Sequence, residues 1–405
     1  MISDYKFSFI VSTRNDNHGG NMYLKNQFFV NRWVHDIKKL DINCELIIVD
    51  WNSPKKLRNK LVIPKLNNNQ SIKIIEVPNK IHKKFKNNKK LNMFQMIAKN
   101  VGARQASGKY LIFTNIDIIF SNNLLKFLKN RELNENCIYR VDRYDINFNK
   151  FNNYKGNEKI FDSNITHVNK KYYTHDLINN VKYWTYNSLS GAFINFLKLF
   201  FSVIFNFIKY PLELLLQLDK KVTDILKINF LKLITAYLKK IINIPKIIII
   251  NLRKIINIPK IIINNLKIII ENISLIINII KSPKLHTNAC GDFQLISKKS
   301  FFDLSGYYEY DGYSFHIDSL LMWKAYFMGY NFKELSFKIF HINHTGGYQN
   351  SNELFKSLRK KKINYISNAQ LIKMIDNLKK NKNYLNNAKF GLVDYKLNSF
   401  VFNKY

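Results

Sequence analysis

Residues 109–120, KYLIFTNIDIIF, decide how the rest of the chain is interpreted. Residues 110–114 are rich in β-branched and aromatic side chains, which predicts a short buried strand. Asn115 and Asp117 follow, and side chains two apart in an extended segment share a face. Because ligands of an open α/β sheet bind beyond the carboxyl ends of its strands, Asp117 is placed to hold a metal ion and, through it, a diphosphate. The alternative is that Asp117 only caps a helix that begins near Ser121.

The composition describes a large, strongly basic chain. Its 405 residues suffice for two or three average domains or for one large α/β domain with insertions. The hydrophobic fraction of 46% is enough for a core. Lys and Arg number 64 against 28 Asp and Glu, and the net charge of +36 favours polyanions such as nucleic acid, anionic lipid or nucleotide phosphates. No Arg-rich helix or RNA-binding signature occurs, so nucleic acid is the weakest of these partners.

Cysteine usage and the start of the chain bear on the compartment. Cys44, Cys137 and Cys290 are far apart and lack C-x-x-C spacing, which argues against a disulfide framework and a zinc site. The opening residues, MISDYKFSFIVST, lead directly into a strand without the features of a signal peptide. A reducing, cytoplasmic location is therefore expected.

Strands and helices alternate along the first 120 residues. Near-continuous apolar strands, each ending in a polar turn, are typical of a parallel sheet with helices on its faces. No G-x-G-x-x-G or P-loop motif occurs, which argues against dinucleotide binding and P-loop chemistry. The prediction is a Rossmann-like α/β sheet, with strands at residues 7–13, 45–50, 72–77 and 110–114 and helices at 23–40 and 92–106.

The polar strand ends should meet at one edge of that sheet. They are residues 13–16, 50–53 and 115–117, and the carboxyl ends of neighbouring parallel strands converge. This set of motifs resembles glycosyltransferase family 2, including the run NVGARQASGKYLIFTNID that leads into the family's metal motif. The resemblance implies a GT-A fold, a mixed sheet flanked by helices. It covers about residues 6–143 and 285–347. Asn115 departs from the family's Asp-x-Asp motif, which leaves Asp117 as the stronger metal ligand.

A second region of resemblance lies after residue 285. HTNACGDFQLISKKSFFDLS, at residues 286–305, is similar to the acceptor-side segment of related transferases. Asp318 stands where those enzymes place an acidic pair, which implies a general base, although an acid in the first turn of a helix is also favoured by the helix dipole. Asp292 could orient the acceptor or only tie down a turn. His341 and His344 follow a strand where these enzymes often supply a metal ligand, but three residues apart they project to opposite faces.

The resemblance therefore implies a set of site residues. Arg14 and Lys99 could instead be solvated surface charges, and Arg140 and Arg143 are weaker candidates for the same phosphate field. The implied nucleotide-binding residues are Thr13, Arg14, Asn15, Asp16, Asp50, Asn52, Ser53, Lys99, Arg104 and Asn115, the metal ligands are Asp117, His341 and His344, and the catalytic residues are Asp318 and Asp292.

The composition changes between residues 184 and 284. This segment has fifteen basic and four acidic residues and a seven-residue repeat rich in Ile, in which Lys246, Arg253, Lys260 and Lys267 share one position. If it is helical, a wide apolar face with a cationic edge is typical of a helix lying in a membrane interface, with breaks at its prolines. A transmembrane span at 189–208 is penalised by a lysine near its middle. A low-complexity expansion that packs on the domain or stays disordered, or a coiled-coil partner, is the alternative.

Four regions follow from these observations. They are a nucleotide-binding half at 1–183, a cationic apolar helical insertion at 184–284, an acceptor half at 285–347 and a helical tail at 348–405. The resemblance implies a transferase that moves a sugar from a nucleotide-sugar donor to a glycan, lipid or small-molecule acceptor with inversion, assisted by Mn or Mg. The insertion would attach the protein peripherally to an anionic membrane surface. A catalytically silent, membrane-associated GT-A scaffold is the alternative from another class.

Overall fold

A computed structural model describes residues 5–16, 20, 22–185, 285–343, 351–386 and 388–403. The described residues belong to one unit, within residues 1–185 and 285–405. The predictions made for the insertion, apart from its first residues, and for His344 lie outside the described residues. No helix among the described residues combines the length and the apolar character that crossing a bilayer requires.

Four parallel strands form the centre of the sheet in the order β3-β2-β1-β4. The run FSFIVST of β1 is buried throughout, as expected of a strand covered on both faces. Register pairs Thr13 of β1 with Asp50 of β2, so the polar ends of these two strands lie side by side. The bounds of this half are β1 Phe7–Thr13, α1 Met22–Leu40, β2 Cys44–Trp51, β3 Gln70–Val77, α2 Asn79–His82, α3 Gln95–Arg104 and β4 Tyr110–Phe113.

The remaining strands extend the sheet from β4. β10 lies antiparallel between β4 and β6, and β11 runs parallel to β6 and antiparallel to β5. The residues after 285 thus complete the same sheet rather than forming a separate one. Their bounds, with those of the segment before them, are β5 Ile118–Phe120, α4 Asn122–Asn130, β6 Cys137–Ile146, α5 Glu158–Asp162, β7 Ile165–Asn169, β8 Tyr173–Asp176, β9 Val181–Trp184, β10 Gln294–Ser297, α6 Lys298–Asp303, α7 Ile317–Phe327 and β11 Asn331–Ile342.

In the described part of the chain the sheet has twelve strands, with parallel and antiparallel neighbours and helices packed against it. This architecture confirms the predicted mixed α/β class. In the order β3-β2-β1-β4, successive strands are added on one side of β1 up to β3 and β4 is added on the other side. Open α/β sheets bind ligands at such a topological switch point, here between β1 and β4.

The bounds of α3 differ from the predicted 92–106, whereas the predicted start of a helix near Ser121 is confirmed. α3 spans Gln95–Arg104, and Phe94 before it has a non-helical backbone, with φ −106° and ψ 87°. α4 is capped by Ser121, whose hydroxyl accepts from the Leu124 N–H. The alternative reading of Asp117 as the cap of this helix is therefore wrong.

The tail contains more than helices. α8 spans Ser351–Lys360 and α9 spans Asn368–Lys380, so the helical periodicity near residues 354–378 is interrupted. β12, Asn398–Phe402, then pairs antiparallel with β3 at the edge of the sheet. The sequence analysis did not foresee this strand.

Close packing holds the turn that leads into β4. A Cβ at Gly108 would lie 2.5 Å from the Ser8 backbone nitrogen and 2.6 Å from the Phe7 carbonyl carbon. The Gly108 N–H donates to the Ser8 hydroxyl at 2.8 Å, and that hydroxyl donates to Glu45 at 2.6 Å. Backbone atoms cannot yield as a side chain can, so this position requires glycine.

We expect Gly108→Ala to lower the free energy of unfolding by about 2 kcal/mol or more, because the methyl group would displace backbone at the start of β1. Urea unfolding would measure the shift in midpoint at an unchanged slope. Gly156→Ala is the matched control, since the nearest atom to its Cβ would lie at 3.2 Å. Equal losses from the two substitutions would contradict this account.

Candidate functional site

The ends of β1 and β2 form a preorganised turn. The Asp50 carboxylate accepts from the Leu57 N–H at 2.9 Å and from the Ser53 hydroxyl. Ser53 in turn accepts from the Asn15 N–H at 2.6 Å, which ties the two strand ends together. Burial raises the pKa of Asp50 to about 6, against the lowering effect of these hydrogen bonds.

Neighbouring polar residues are also held in place. Arg14 pairs with Asp16 at 2.9 Å and donates to the Asn92 carbonyl at 3.0 Å. Asn52 has a positive φ of 52° and accepts from Asn79 at 2.8 Å. The structure brings together seven of the predicted nucleotide-binding residues at this rim, namely Thr13, Arg14, Asn15, Asp16, Asp50, Asn52 and Ser53.

Asp117 lies in a turn between β4 and β5. The Ile118 N–H donates to the Asn115 carbonyl at 3.2 Å, so the segment is not extended and the predicted shared face of Asn115 and Asp117 is wrong. The Asp117 Oδ2 atom lies 3.4 Å from His341 Nε2, and His341 Nδ1 lies 2.8 Å from Asp145 Oδ1. Burial alone would lower the pKa of His341, but Asp117 and Asp145 raise it to about 10.

Arg143 connects this imidazole to the acceptor side. Its Nε lies 2.9 Å from Asp145 Oδ1, and its Nη1 donates to Asp292 Oδ2 at 2.6 Å. The other oxygen of Asp292 accepts from Asn115 Nδ2 at 2.6 Å. Asn115 itself accepts from Gln95 Nε2 at 2.9 Å. Both oxygens of Asp292 are therefore engaged, as befits a residue that positions its neighbours.

Asp318 opens α7 beside Gly291. A Cβ at Gly291 would lie 2.9 Å from Asp318 Oδ2, so the absence of a side chain there makes room for the carboxylate. The Ser319 N–H lies 2.9 Å from Asp318 Oδ1. Lys99 is fully buried and donates to the Gly291 carbonyl at 2.8 Å. Burial lowers the pKa of Lys99 to about 8, opposed by the nearby carboxylates of Asp292, Asp318 and Asp117.

Besides Asn115, which bonds to Asp292, two predicted nucleotide-binding residues have other surroundings. Lys99 lies beneath the acceptor-side segment, among three carboxylates rather than on the surface. Arg104 donates to the carbonyls of Phe390 and Ala388 and stacks on the Phe390 ring at 4.1 Å. It lies nine residues along α3 from Gln95, about 13 Å by helical rise, so the structure gives it a packing role in holding the tail.

Asp117 and His341 could supply two ligands to a divalent cation. Two ligand atoms with bonds of about 2.1 Å to one ion lie about 3 Å apart, close to the separation seen here. The Asp145 contact fixes the imidazole as outer carboxylates commonly do for metal-bound histidines. Among the described residues no cluster of three His, Cys, Asp or Glu side chains could hold a metal. The pair fits Mg²⁺ or Mn²⁺ binding in which phosphate oxygens and water complete the shell.

Three residues of the site escaped the sequence analysis. Asp145 aligns with His341 across β6 and β11, and it shares a strand face with Arg143 in the run RYD. Gln95 orients Asn115. Lys25 lies near Asp117, since burial lowers the pKa of Lys25 and the Asp117 carboxylate opposes that shift. Only the alternation in RYD could have signalled any of them.

The chain was compared with known proteins. No protein-family model and no curated protein matches it. Among solved structures, the crystal structure of S. aureus TarS 1-349 is similar over 36% of this chain and 37% of its own, with 19% sequence identity and a TM-score of 0.22. A likeness of that size carries no argument about function.

The Asn115–Asp292 hydrogen bond generates a test of the site. Asn115→Asp would restore the family's acidic motif but would place two carboxylates 2.6 Å apart. We expect the variant to lose about 1–3 kcal/mol of stability, because the donor is lost and like charges oppose each other. Thermal unfolding would measure the loss. The exchange Asn115→Asp with Asp292→Asn restores a donor–acceptor pair and should recover at least half of it, whereas an exchange less stable than Asn115→Asp would contradict the pairing.

Proposed function

We propose that this protein is a glycosyltransferase of GT-A type that transfers a sugar from a nucleotide-sugar donor to an acceptor hydroxyl. The observation that carries the proposal is the gathering of carboxylates from both halves of the chain at one edge of the sheet. Asp117 follows β4, whereas Asp292 and Asp318 come from the part of the chain after residue 285. All three carboxylates lie close enough to the buried Lys99 to raise its pKa. An edge that joins a diphosphate-binding region to a candidate base suits transfer between two substrates.

The donor nucleotide would lie along the ends of β1 and β2. Asp50 and Ser53 are already fixed by the hydrogen bonds of their turn, so little ordering would accompany binding. Arg14 and the polar backbone near Asn15 border the same place. This region would hold the base and ribose, with the diphosphate directed toward Asp117.

Asp117 and His341 would hold the divalent cation, Mn or Mg. The ion supplies neutralisation of the charge that develops on the departing diphosphate. Asp145 and Arg143 keep the imidazole oriented, and their contacts do not depend on the substrate. Arg143 and Lys99 would add positive charge on the acceptor side of the departing diphosphate.

Asp318 would act as the general base. It would accept the proton of the acceptor hydroxyl while that oxygen bonds to the anomeric carbon and the bond to the diphosphate oxygen breaks. A single displacement with a single base inverts the anomeric configuration. Asp292 has both oxygens engaged by Asn115 and Arg143, which favours Asp318 over it for this role.

A catalytically silent scaffold is the second candidate, favoured because residue 115 is Asn and because no acid stands beside Asp318 in the sequence. Turnover assays across nucleotide sugars, with and without Mn, would separate the two, since a scaffold hydrolyses no donor. Peripheral attachment to an anionic membrane through residues 184–284 remains part of the proposal.

We expect Asp117→Asn to reduce donor turnover at least about 100-fold, because a neutral amide is a poor ligand for a hard cation. Kinetic assays over a range of Mn concentrations would measure this. Asp394→Asn, which alters an exposed carboxylate elsewhere, is the control. His341→Ala should weaken the response to Mn and His344→Ala should not, and equal, negligible effects would remove histidine from the cation site.

For the base, we expect Asp318→Asn to bind the donor normally and to lose transfer by about 10²–10⁴-fold, since the carboxylate contributes only in the transition state. Donor binding by calorimetry and transfer by product formation would be compared in the same variant. Asp292→Asn should lose stability as well as activity. Weaker donor binding with unchanged transfer in Asp318→Asn would assign that residue to the donor site instead.

A further inference from the structure

A lysine-rich segment lies between β3 and α3. Residues 78–116 contain no Asp or Glu, although acids occur on both sides of this run. Within it, residues 80–90 carry six lysines, and all six side chains are exposed. We call this the lysine segment, defined by Lys80, Lys83, Lys84, Lys86, Lys89 and Lys90.

The backbone of the lysine segment is firmly anchored. His82 is buried, with Nδ1 accepting from Trp51 Nε1 at 3.0 Å and Nε2 lying 3.0 Å from the Asn88 carbonyl. Phe85 packs on Phe94, and Asn87 is buried. The buried residues of the segment therefore anchor its backbone, and the six exposed lysines project from it into solvent.

One carboxylate contacts this segment, and it binds backbone rather than ammonium groups. Asp311 accepts from the Lys86 N–H at 2.5 Å and the Asn87 N–H at 3.1 Å. In the described part of the chain, no ion pair involves any of the six lysines. Lys84 contacts the Tyr395 hydroxyl at 3.2 Å and Lys90 the Lys362 carbonyl at 2.7 Å, neither of which neutralises charge.

The lysine segment borders both sides of the candidate site. It begins shortly after β3, and two residues beyond its end the carbonyl of Asn92 accepts from Arg14. The Asp311 contact joins it to the segment that leads into α7 and Asp318. Ser314 of that segment donates to Gln95 at 3.1 Å, and Gln95 holds Asn115. An acceptor that reaches Asp318 could therefore lie across these lysines.

We propose that the lysine segment binds an anionic acceptor polymer, a chain with repeating phosphate or carboxylate groups. The inference rests on the proposed function and names the class of its acceptor. Six separate charges exceed what one donor diphosphate needs, and a row of lysines without acids is attractive to a polyanion along its length. Lysine supplies strong point charges without the forked geometry that reads one fixed group. This suits a repeating chain better than a single small anion.

The test measures binding of inorganic polyphosphate and of polygalacturonate by the full-length protein at several salt concentrations. The variant is Lys83→Gln, Lys86→Gln and Lys89→Gln together. The control is Lys39→Gln, Lys126→Gln and Lys129→Gln, which removes the same charge. Lys129 lies near the amino end of β1, away from the candidate site, where its carbonyl accepts from Lys6. Lys39 lies in the last turn of α1.

We expect the lysine-segment variant to bind at least tenfold more weakly at low salt. Its log–log salt slope should fall by about two, at about 0.7 for each lost contact with a flexible polyanion. The control should match the unaltered protein. A loss with polyphosphate identifies the repeating anionic group as phosphate, and a loss with polygalacturonate identifies it as carboxylate. Equal losses in the variant and the control, or no loss in either arm, would overturn the proposal.

Two further arms separate the alternatives. A single-stranded oligonucleotide that binds more tightly than both polymers, with the same dependence on the lysine segment, would replace the acceptor by nucleic acid. A lysine-segment variant with weaker donor binding and unchanged polymer binding would assign the segment to the donor. Polymer binding can be measured without turnover. A protein that binds the polymer but is inactive with every donor would contradict the proposed transferase activity and leave the polymer-binding role of the lysine segment intact.

Discussion

The hydrogen bond from Asn115 to Asp292 joins two parts of the chain that are 177 residues apart. Arg143 continues the connection from the other oxygen of Asp292 to Asp145, and His341 continues it to Asp117. One continuous network of contacts, in which carboxylates alternate with an amide, a guanidinium and an imidazole, therefore connects the side chains at this edge of the sheet. Breaking a buried pair by removing one partner is costly, because it leaves the other charge without compensation. The two halves of the site therefore depend on each other for their geometry.

The same network sets the charge of the site. Asp117, Asp145, Asp292 and Asp318 face Arg143, His341 and Lys99 across short distances, and each cation is held among carboxylates. Burial alone would raise the pKa of Asp145, but the charges of Arg143 and His341 outweigh burial and hold that pKa well below its usual range. The four carboxylates outnumber the three cations by one, so binding of an anionic substrate here calls for added positive charge. A divalent ion beside Asp117 would supply such charge, and so would the exposed lysines between β3 and α3.

Local patterns were sufficient for much of this fold and for part of the site. The apolar strands and their polar ends follow from short-range rules, so the convergence of Asp50 and Asp117 at one edge was predictable. The contact of Asp145 with His341 depends on β11 pairing with β6, and no local rule fixes the pairing of strands so distant in sequence. The contacts of Arg104 could not be predicted for a related reason, because Phe390, the ring it stacks on, comes from the tail, whose final strand was itself unforeseen.

The neutral residue at position 115 gains a different meaning from these contacts. In the family that the sequence resembles, this position carries the first acid of the metal motif, and its loss here favours a silent scaffold. Yet the Asp292 carboxylate lies 2.6 Å from Asn115, so an acid stands beside this strand end after all, supplied by the returning segment. Two acids could not share so short a contact without one becoming protonated. The amide at 115 donates to the Asp292 carboxylate, as an ionised acid at that position could not, and this supports an altered site over an abandoned one.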